Sequence, residues 1–494
     1  MNILSLFPLI PLVMMLGLWI SKNTRQIHAV MVAGSSALLA LAIYLVFHYL
    51  GLREAGATDA MLLTDSVVWY APLNIHYAVG VDGISVAMLL LSAIIVFTGT
   101  FASWQMKSDV KAYFLWFCLL SVGVFGFFIT VDLFSMFMFY EVALIPMYLL
   151  IGVWGSGRKE YSAMKLTLML MGGSALLLCG ILGIYFGAGA QTMNLHEIAA
   201  LHNIPLSQQY IWFPMVFVGF GVLGALFPFH TWVPDAYAYS TPTSAAVLSS
   251  LVSKGYIFLL MKIMYRVIGL DVIVSTGIQD VLFVFALVGM VMGSISAIRQ
   301  TDIRRMIAFS SVAQIGYVFM GIGLGTDEGM MAATFHIFSH AVCKSMLFLA
   351  AGGLADASNN SKKFRDLRGA GFRSPIAGVA FTIGALSMVG FPFLGGFASK
   401  LNFALAAMDV GGARTMLVLI TLAISTWLNT LYFLRTVITL YRKPVPGAVY
   451  SVARGQRGFC FNASLVAFSI VNVALGLFAQ TFVSAITAGL ATFG

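Results

Sequence analysis

Five lysines, Lys165, Lys254, Lys262, Lys344 and Lys400, lie inside stretches otherwise apolar enough to cross a bilayer, and one carboxylate, Glu141, joins them at depth. Holding a lysine at the centre of a membrane helix costs at least about 2.5–3.5 kcal/mol, so each is a functional candidate. Groups that gain and lose protons, strung through an apolar medium, suit proton relay. A lysine near a span end can instead snorkel to the headgroups, which is the simpler account of Lys262 beside Arg266 and makes its removal the mildest of the set. Glu141 is expected to keep its proton when alone in apolar surroundings and to lose it when a lysine cation approaches; Lys165 and Lys254 are the lysines of that half. His336, His340 and Lys344 recur every four residues and share one helical face. A histidine titrates near neutrality and hands protons between lysines where water completes the gaps. HxxxH can also hold a metal, but no carboxylate or thiolate partner is evident, so no metal site is expected; a histidine that only packs between helices is the plain alternative for His336.

The elements that must position these residues are membrane helices. Of 494 residues, 60% are hydrophobic and 9% charged, with mean hydropathy +0.95. Runs of about 20 apolar residues, the length a hydrocarbon core requires, follow one another with short connections. Fourteen can be placed, at about 2–20, 28–50, 84–104, 112–130, 133–153, 161–187, 211–239, 242–265, 279–298, 305–324, 329–355, 374–408, 415–441 and 461–485. An all-α, polytopic fold follows.

The loops carry their charge unequally. Lys22, Arg25, Lys107, Lys111, Arg158, Lys159, Arg299, Arg304, Arg305, Lys362, Lys363, Arg365, Arg368, Arg373, Arg442, Lys443, Arg454 and Arg457 fall on one side, and only Arg53, Arg266 and Arg414 on the other. The rich side is cytoplasmic by the positive-inside rule, which puts both termini on the opposite side. The net charge of +9 is this asymmetry and gives no support for nucleic-acid binding. The first apolar segment has no basic residue before it and reads as a retained span. The four cysteines show no CxxC or paired spacing, and there is no Walker A loop, no GxGxxG after a strand and no HExxH. Neither redox nor phosphoryl chemistry is expected of this chain itself.

Two spans are interrupted alike. Span seven holds Phe227-Pro228-Phe229-His230-Thr231-Trp232-Val233-Pro234-Asp235, and span twelve holds Gly390-Phe391-Pro392-Phe393-Leu394-Gly395-Gly396. Proline removes a helical hydrogen bond, and non-helical backbone at this depth survives only inside protein or beside a wet cavity. Ordinary proline kinks are the bland alternative. The breaks lie five spans apart, so residues 112–268 (spans 4–8) and 279–441 (spans 9–13) are expected to be inverted repeats, after an N-terminal three-span segment, 1–111, and before a cytoplasmic loop and last span, 442–494. Broken helices in inverted repeats are transporter architecture. The helix breaks Pro228, Pro234, Pro392 and Gly395, with His230, Asp235 and Lys262 as secondary polar residues, complete the candidate set.

Asp132-Leu133-Phe134 leading into Phe139-Tyr140-Glu141, then Pro146-Met147 and Gly152-Val153-Trp154-Gly155, resembles span five of the antiporter-like subunits of respiratory complex I. Phe227 to Ala236, Gln300 to Ser311 and Ala313-Gln314-Ile315-Gly316-Tyr317 are similar to further signatures of the same superfamily, which includes membrane-bound hydrogenases and multisubunit sodium/proton antiporters. The resemblance implies that Glu141 is the span-five glutamate, Lys254 the lysine joining two half-channels and Lys400 the terminal lysine, with His336, His340 and Lys344 along a hydrophilic axis. Two departures stand out. The family usually places a lysine seven residues before the span-seven histidine, where this chain has Leu223, leaving Lys165 or Lys254 to replace it as partner of Glu141. The first half resembles the fourth core subunit of the NADH dehydrogenase, which normally has glutamate where Lys400 stands. Lys400, with Thr241-Pro242-Thr243-Ser244-Ala245-Ala246, leans toward the hydrogenase and antiporter branch.

The function so implied is a proton-translocating subunit of a complex I-type redox-driven pump in a prokaryotic-type plasma membrane. Iron–sulfur, flavin or nickel–iron centres are expected only in partners: a peripheral redox arm beside other antiporter-like and small membrane subunits. The alternatives are a subunit of a sodium/proton antiporter without redox chemistry and a non-conducting spacer, for which Leu223 is the best argument.

Overall fold

The computed structural model describes residues 2–187, 192–195, 197–198, 205–262, 277–446, 450 and 458–490. Arg266, Arg454 and Arg457, used in the charge asymmetry, lie outside the described residues. The chain is predominantly helical and multi-pass: 12 described helices are long and apolar enough to cross a bilayer. Expected spans seven and twelve fall outside that set because each is in pieces. The former runs as Leu206–Leu223, Phe229–Trp232 and Val233–Tyr239, the latter as Pro375–Val389 and Gly395–Val410.

Short polar side chains fix where several helices start. Asp132 accepts from Ser135 N at 2.8 Å, Asp302 from Arg304 N at 2.8 Å and Thr326 from Gly329 N at 3.1 Å. Each satisfies an amide that the helix itself leaves unpaired.

A β-hairpin departs from the all-α expectation. Leu62–Tyr70 pairs antiparallel with Ile75–Val81, with Leu62 opposite Val81 and Tyr70 opposite Ile75. Strands of nine and seven residues escape a search for apolar runs of bilayer length.

The Asp327–Asp356 helix is the axis of the molecule. It packs on Pro242–Val247, on both pieces of the second broken span, and on Phe459–Leu477 and Ala479–Leu490. The apolar windows of Asp327–Asp356 and of Pro242–Lys262 are 100% buried, against 28% for Thr24–Glu54. Lys254, Lys262, His336, His340 and Lys344 thus ride on the helices most shielded from lipid. Within Pro242–Lys262, Leu248–Val252 forms a π-helical turn immediately before Lys254, an irregularity frequent at functional sites.

Candidate functional site

A string of polar groups runs from Lys254, in the last span of the first half, through the second half to Lys400. Lys254 is fully buried, and its Nζ donates to the Ser249 carbonyl in the π-turn. One residue along, Ser250 Oγ lies 2.7 Å from Ser345 Oγ and donates to Ala341 O at 2.9 Å, tying the lysine's helix to the central one. Lys344, also buried, donates to Ser310 Oγ and, at 3.3 Å, to Ile307 O, and its Nζ lies 5.7 Å from the centre of the Phe433 ring. His340 and His336 follow with ring centres 5.8 Å apart. His336 Nδ1 is 2.6 Å from Ser399 Oγ, and its ring stacks 5.4 Å from Tyr317. Next to Ser399 in sequence, Lys400 donates to Val389 O at 2.8 Å and to Thr426 Oγ1 at 2.9 Å.

The second break makes that last contact possible. Pro375–Val389 ends at Gly390, whose φ of +96° and approach to Lys400 (3.1 Å from an added Cβ to Cδ) exclude a larger side chain. Val389 thereby presents a helix-terminal carbonyl, the negative end of the helix dipole, to an ammonium. Pro392 lies in the connecting turn, and Gly395 starts the second piece against Ser339.

The first half is built differently. Lys165 Nζ bonds Asp235 Oδ2 at 2.7 Å, and Arg305 approaches the other carboxylate oxygen at 3.7 Å. Lys165 is therefore engaged by Asp235, not by Glu141. Pro234 opens the short Val233–Tyr239 helix that carries Asp235, a position where proline's missing N–H is harmless. The carbonyls at the far end of that helix receive basic groups: Lys362 Nζ on Ala238 O at 3.1 Å and Arg304 Nη1 on Ser240 O at 3.0 Å. Tyr237 reaches Ser253, beside Lys254, at 2.9 Å. Pro228 precedes the Phe229–Trp232 turn, and His230 stacks on Phe227 at 5.4 Å. Glu141 is half-buried, with Ser174 beside it, and its Oε1 has no hydrogen-bond partner among the described residues. Neighbouring Tyr140 meets Tyr256 edge-on at 4.3 Å, beside a cavity of about 20 Å³.

Two expectations need correction. Lys262 does not snorkel: it is buried and pairs with Asp82 at 3.2 Å. Nor is Glu141 the only carboxylate at depth, since Asp82 and Asp235 are both buried against lysines. Sequence reasoning also missed Ser250, Ser310, Ser345, Ser399 and Thr426. A hydroxyl one residue or one turn from a buried lysine, as at Ser250, Ser345 and Ser399, was the available signal.

Residues 130–426, the stretch holding all these groups except Asp82, match the family described as NADH:quinone oxidoreductase/Mrp antiporter, TM. The chain belongs to that family. Among its relatives is NADH-quinone oxidoreductase subunit M of Rickettsia typhi, 31% identical over 76% of this chain and 74% of that protein. The fold is shared with a chain of the membrane-bound sulfane sulfur reductase, an archaeal respiratory membrane complex (TM-score 0.87, 24% identity, 100% and 98% of the two chains). It is shared too with a chain of the Mrp complex from Dietzia sp. DQ12-45-1b (TM-score 0.83, 24% identity, 99% and 97%). At the position where the resemblance leads one to expect a lysine, Leu223 is fully buried at the last turn of its helix piece. No lysine replaces it beside Glu141 through a described hydrogen bond or ion pair.

Proposed function

We propose that this chain is a proton-translocating membrane subunit of a redox-driven multisubunit complex, in which Lys254, Lys344, His340, His336 and Lys400 relay protons. The observation that carries this reading is the string from Lys254 to Lys400, buried as far as Ser399 and half-buried at Lys400, in which each lysine is held by neutral oxygens. Such a lysine can release its proton without stranding a carboxylate. His340 Nδ1 and Nε2 and Gln314 Nε2 have no partner among the described residues. Buried polar atoms of that kind call for water, the other component of a relay.

Exporting a proton against 100 mV requires about 2.3 kcal/mol, and no described group here supplies it. The driving force is assigned to a peripheral redox arm whose iron–sulfur, flavin or nickel–iron centres lie in partner subunits. Inverted units at 112–268 and 279–441 would give the two halves their half-channels; a prokaryotic-type plasma membrane is part of the same reading, and the basic-residue bias supports both termini on its non-cytoplasmic side. Lys400 favours a second reading, a sodium/proton antiporter subunit without redox chemistry.

Native purification of the tagged protein and mass spectrometry of its partners separates the two. Iron–sulfur and quinone- or hydrogenase-type subunits are expected; small membrane subunits alone would replace the first reading with the second.

A further inference from the structure

The relay above makes no use of the ion pair between Asp82 and Lys262. Their side chains are 0% and 3% exposed, and Lys262 also donates to Ser85 Oγ at 3.0 Å, with its Nζ 4.5 Å from the centre of the Phe258 ring. Asp82 caps the Gly83–Ala102 helix through Ser85 N at 2.7 Å and follows directly on the strand Ile75–Val81. Tyr49, itself bound to Arg53 at 3.0 Å, is near enough to feel the Asp82 charge. By the basic-residue bias this is the non-cytoplasmic end of both helices.

The Gly83–Ala102 and Pro242–Lys262 segments run antiparallel and meet at both ends. Ser85 meets Lys262 at one end, and at the other a Cβ on Gly99 would lie 3.6 Å from Thr243 Cγ2. Residues 85, 92 and 99 are seven apart and share a helical face. Ser92 is therefore the hydroxyl on that face midway along the contact, level with the turn that bears Lys254. It is buried, and its O–H is donated to Met88 O at 2.7 Å, which leaves its oxygen free to accept. The cap needs only an acceptor at position 82, and replacing a buried ion pair by apolar residues is often neutral, so neither capping nor helix packing requires two charges here.

We propose that Asp82 and Lys262 form a proton-release station, fed from Lys254 along the Ser92–Ser85 face. This rests on the proton-translocating reading. A proton leaves the Lys254 ammonium and, through water, binds an Asp82 oxygen. The neutral carboxyl loosens its hold on Lys262. The proton then passes to non-cytoplasmic water, the carboxylate re-forms and the pair closes. One proton has moved outward, and Lys254 stands neutral until the string recharges it.

The test uses the native complex in sealed vesicles, reading subunit assembly, turnover and proton transport for Lys254→Ala, Asp82→Asn, Lys262→Met, Asp82→Asn/Lys262→Met and Ser92→Ala. Asp82→Asn and Lys262→Met each strand a charge and are expected to reduce assembly, whereas Lys254→Ala strands none. The double variant strands none and is expected to assemble, yet to transport protons at least about tenfold more slowly. Ser92→Ala leaves the pair intact and is expected to slow transport about fivefold with normal assembly. A double variant that assembles and transports normally overturns the proposal; so does normal transport in Ser92→Ala when the double variant does not assemble. Normal transport in Lys254→Ala instead sinks the reading beneath it.

Discussion

The two broken spans share a Phe-Pro-Phe interruption and fill it in opposite ways. At the first, charge is stored in an ion pair: Asp235 sits between Lys165 and Arg305. At the second, Lys400 rests on a helix-end carbonyl and a threonine hydroxyl. Deprotonating a paired lysine strands its carboxylate, whereas deprotonating one held by neutral oxygens loses only hydrogen bonds. The second arrangement is suited to passing protons on, the first to holding a charge in place until something moves it.

The largest effect should come from breaking the carboxylate-free string that runs from Lys254 to Lys400. Lys254→Ala or Lys400→Ala is expected to cut proton transport by the assembled complex about a hundredfold, the scale of a lost proton-transfer group; near-normal transport with both removed would show that the string is not the route. Next is Gly390→Ala, which forces a side chain into a left-handed backbone against Lys400. It should destabilise by about 1–3 kcal/mol and displace Lys400 from Val389, visible as a lower unfolding temperature together with slower transport. At the first break, Asp235→Asn leaves Lys165 and Arg305 facing a neutral amide. Because Lys165 is a quarter exposed, about 1 kcal/mol of stability is at stake, and transport should fall less than with Lys400→Ala. An equal fall would erase the contrast between the halves.

The smallest prediction concerns the loop that grips the Asp235 helix. Burial lowers Lys362 to about 8, helped by the Arg304 guanidinium and opposed by Asp302. From about pH 8 to the ordinary lysine value of 10.5 the unfolded chain holds a proton that the folded one has released, so this group raises stability as pH rises through that window. Below it the full penalty of charging Lys362 is present. Lys362→Met should flatten the rise in unfolding temperature across the window without altering the transport contrast.

Most of the framework was legible because hydropathy and helical period are local. The apolar runs, the four-residue recurrence of His336, His340 and Lys344, and both breaks can be read from adjacent residues. Pairings between distant residues cannot. Nothing near Lys262 announces Asp82, 180 positions earlier, so the end of an apolar run was read as a snorkelling site. Lys165 was likewise matched to Glu141 because both belong to the first half, while its carboxylate lies across the break at Asp235. The hairpin escapes such a reading because its strands are shorter than a span, the first mostly exposed and the second mostly buried, and the hydroxyls of the string because serine is unremarkable inside a membrane helix.

The π-turn at Leu248–Val252 has a consequence for register. A helix that closes one turn with an extra residue carries what amounts to an insertion, and everything beyond it faces about 100° away from where a regular helix would put it. Closing that turn as a regular helix at full length would swing either Lys254 and Lys262 or the Thr241–Ser244 cap out of alignment, whereas deleting one residue of the turn would give a regular helix with both ends still facing as they do. Loss of one residue inside the turn is therefore expected to disturb Lys254 less than loss of one residue on either side of it, where a regular helix has no extra residue to give up.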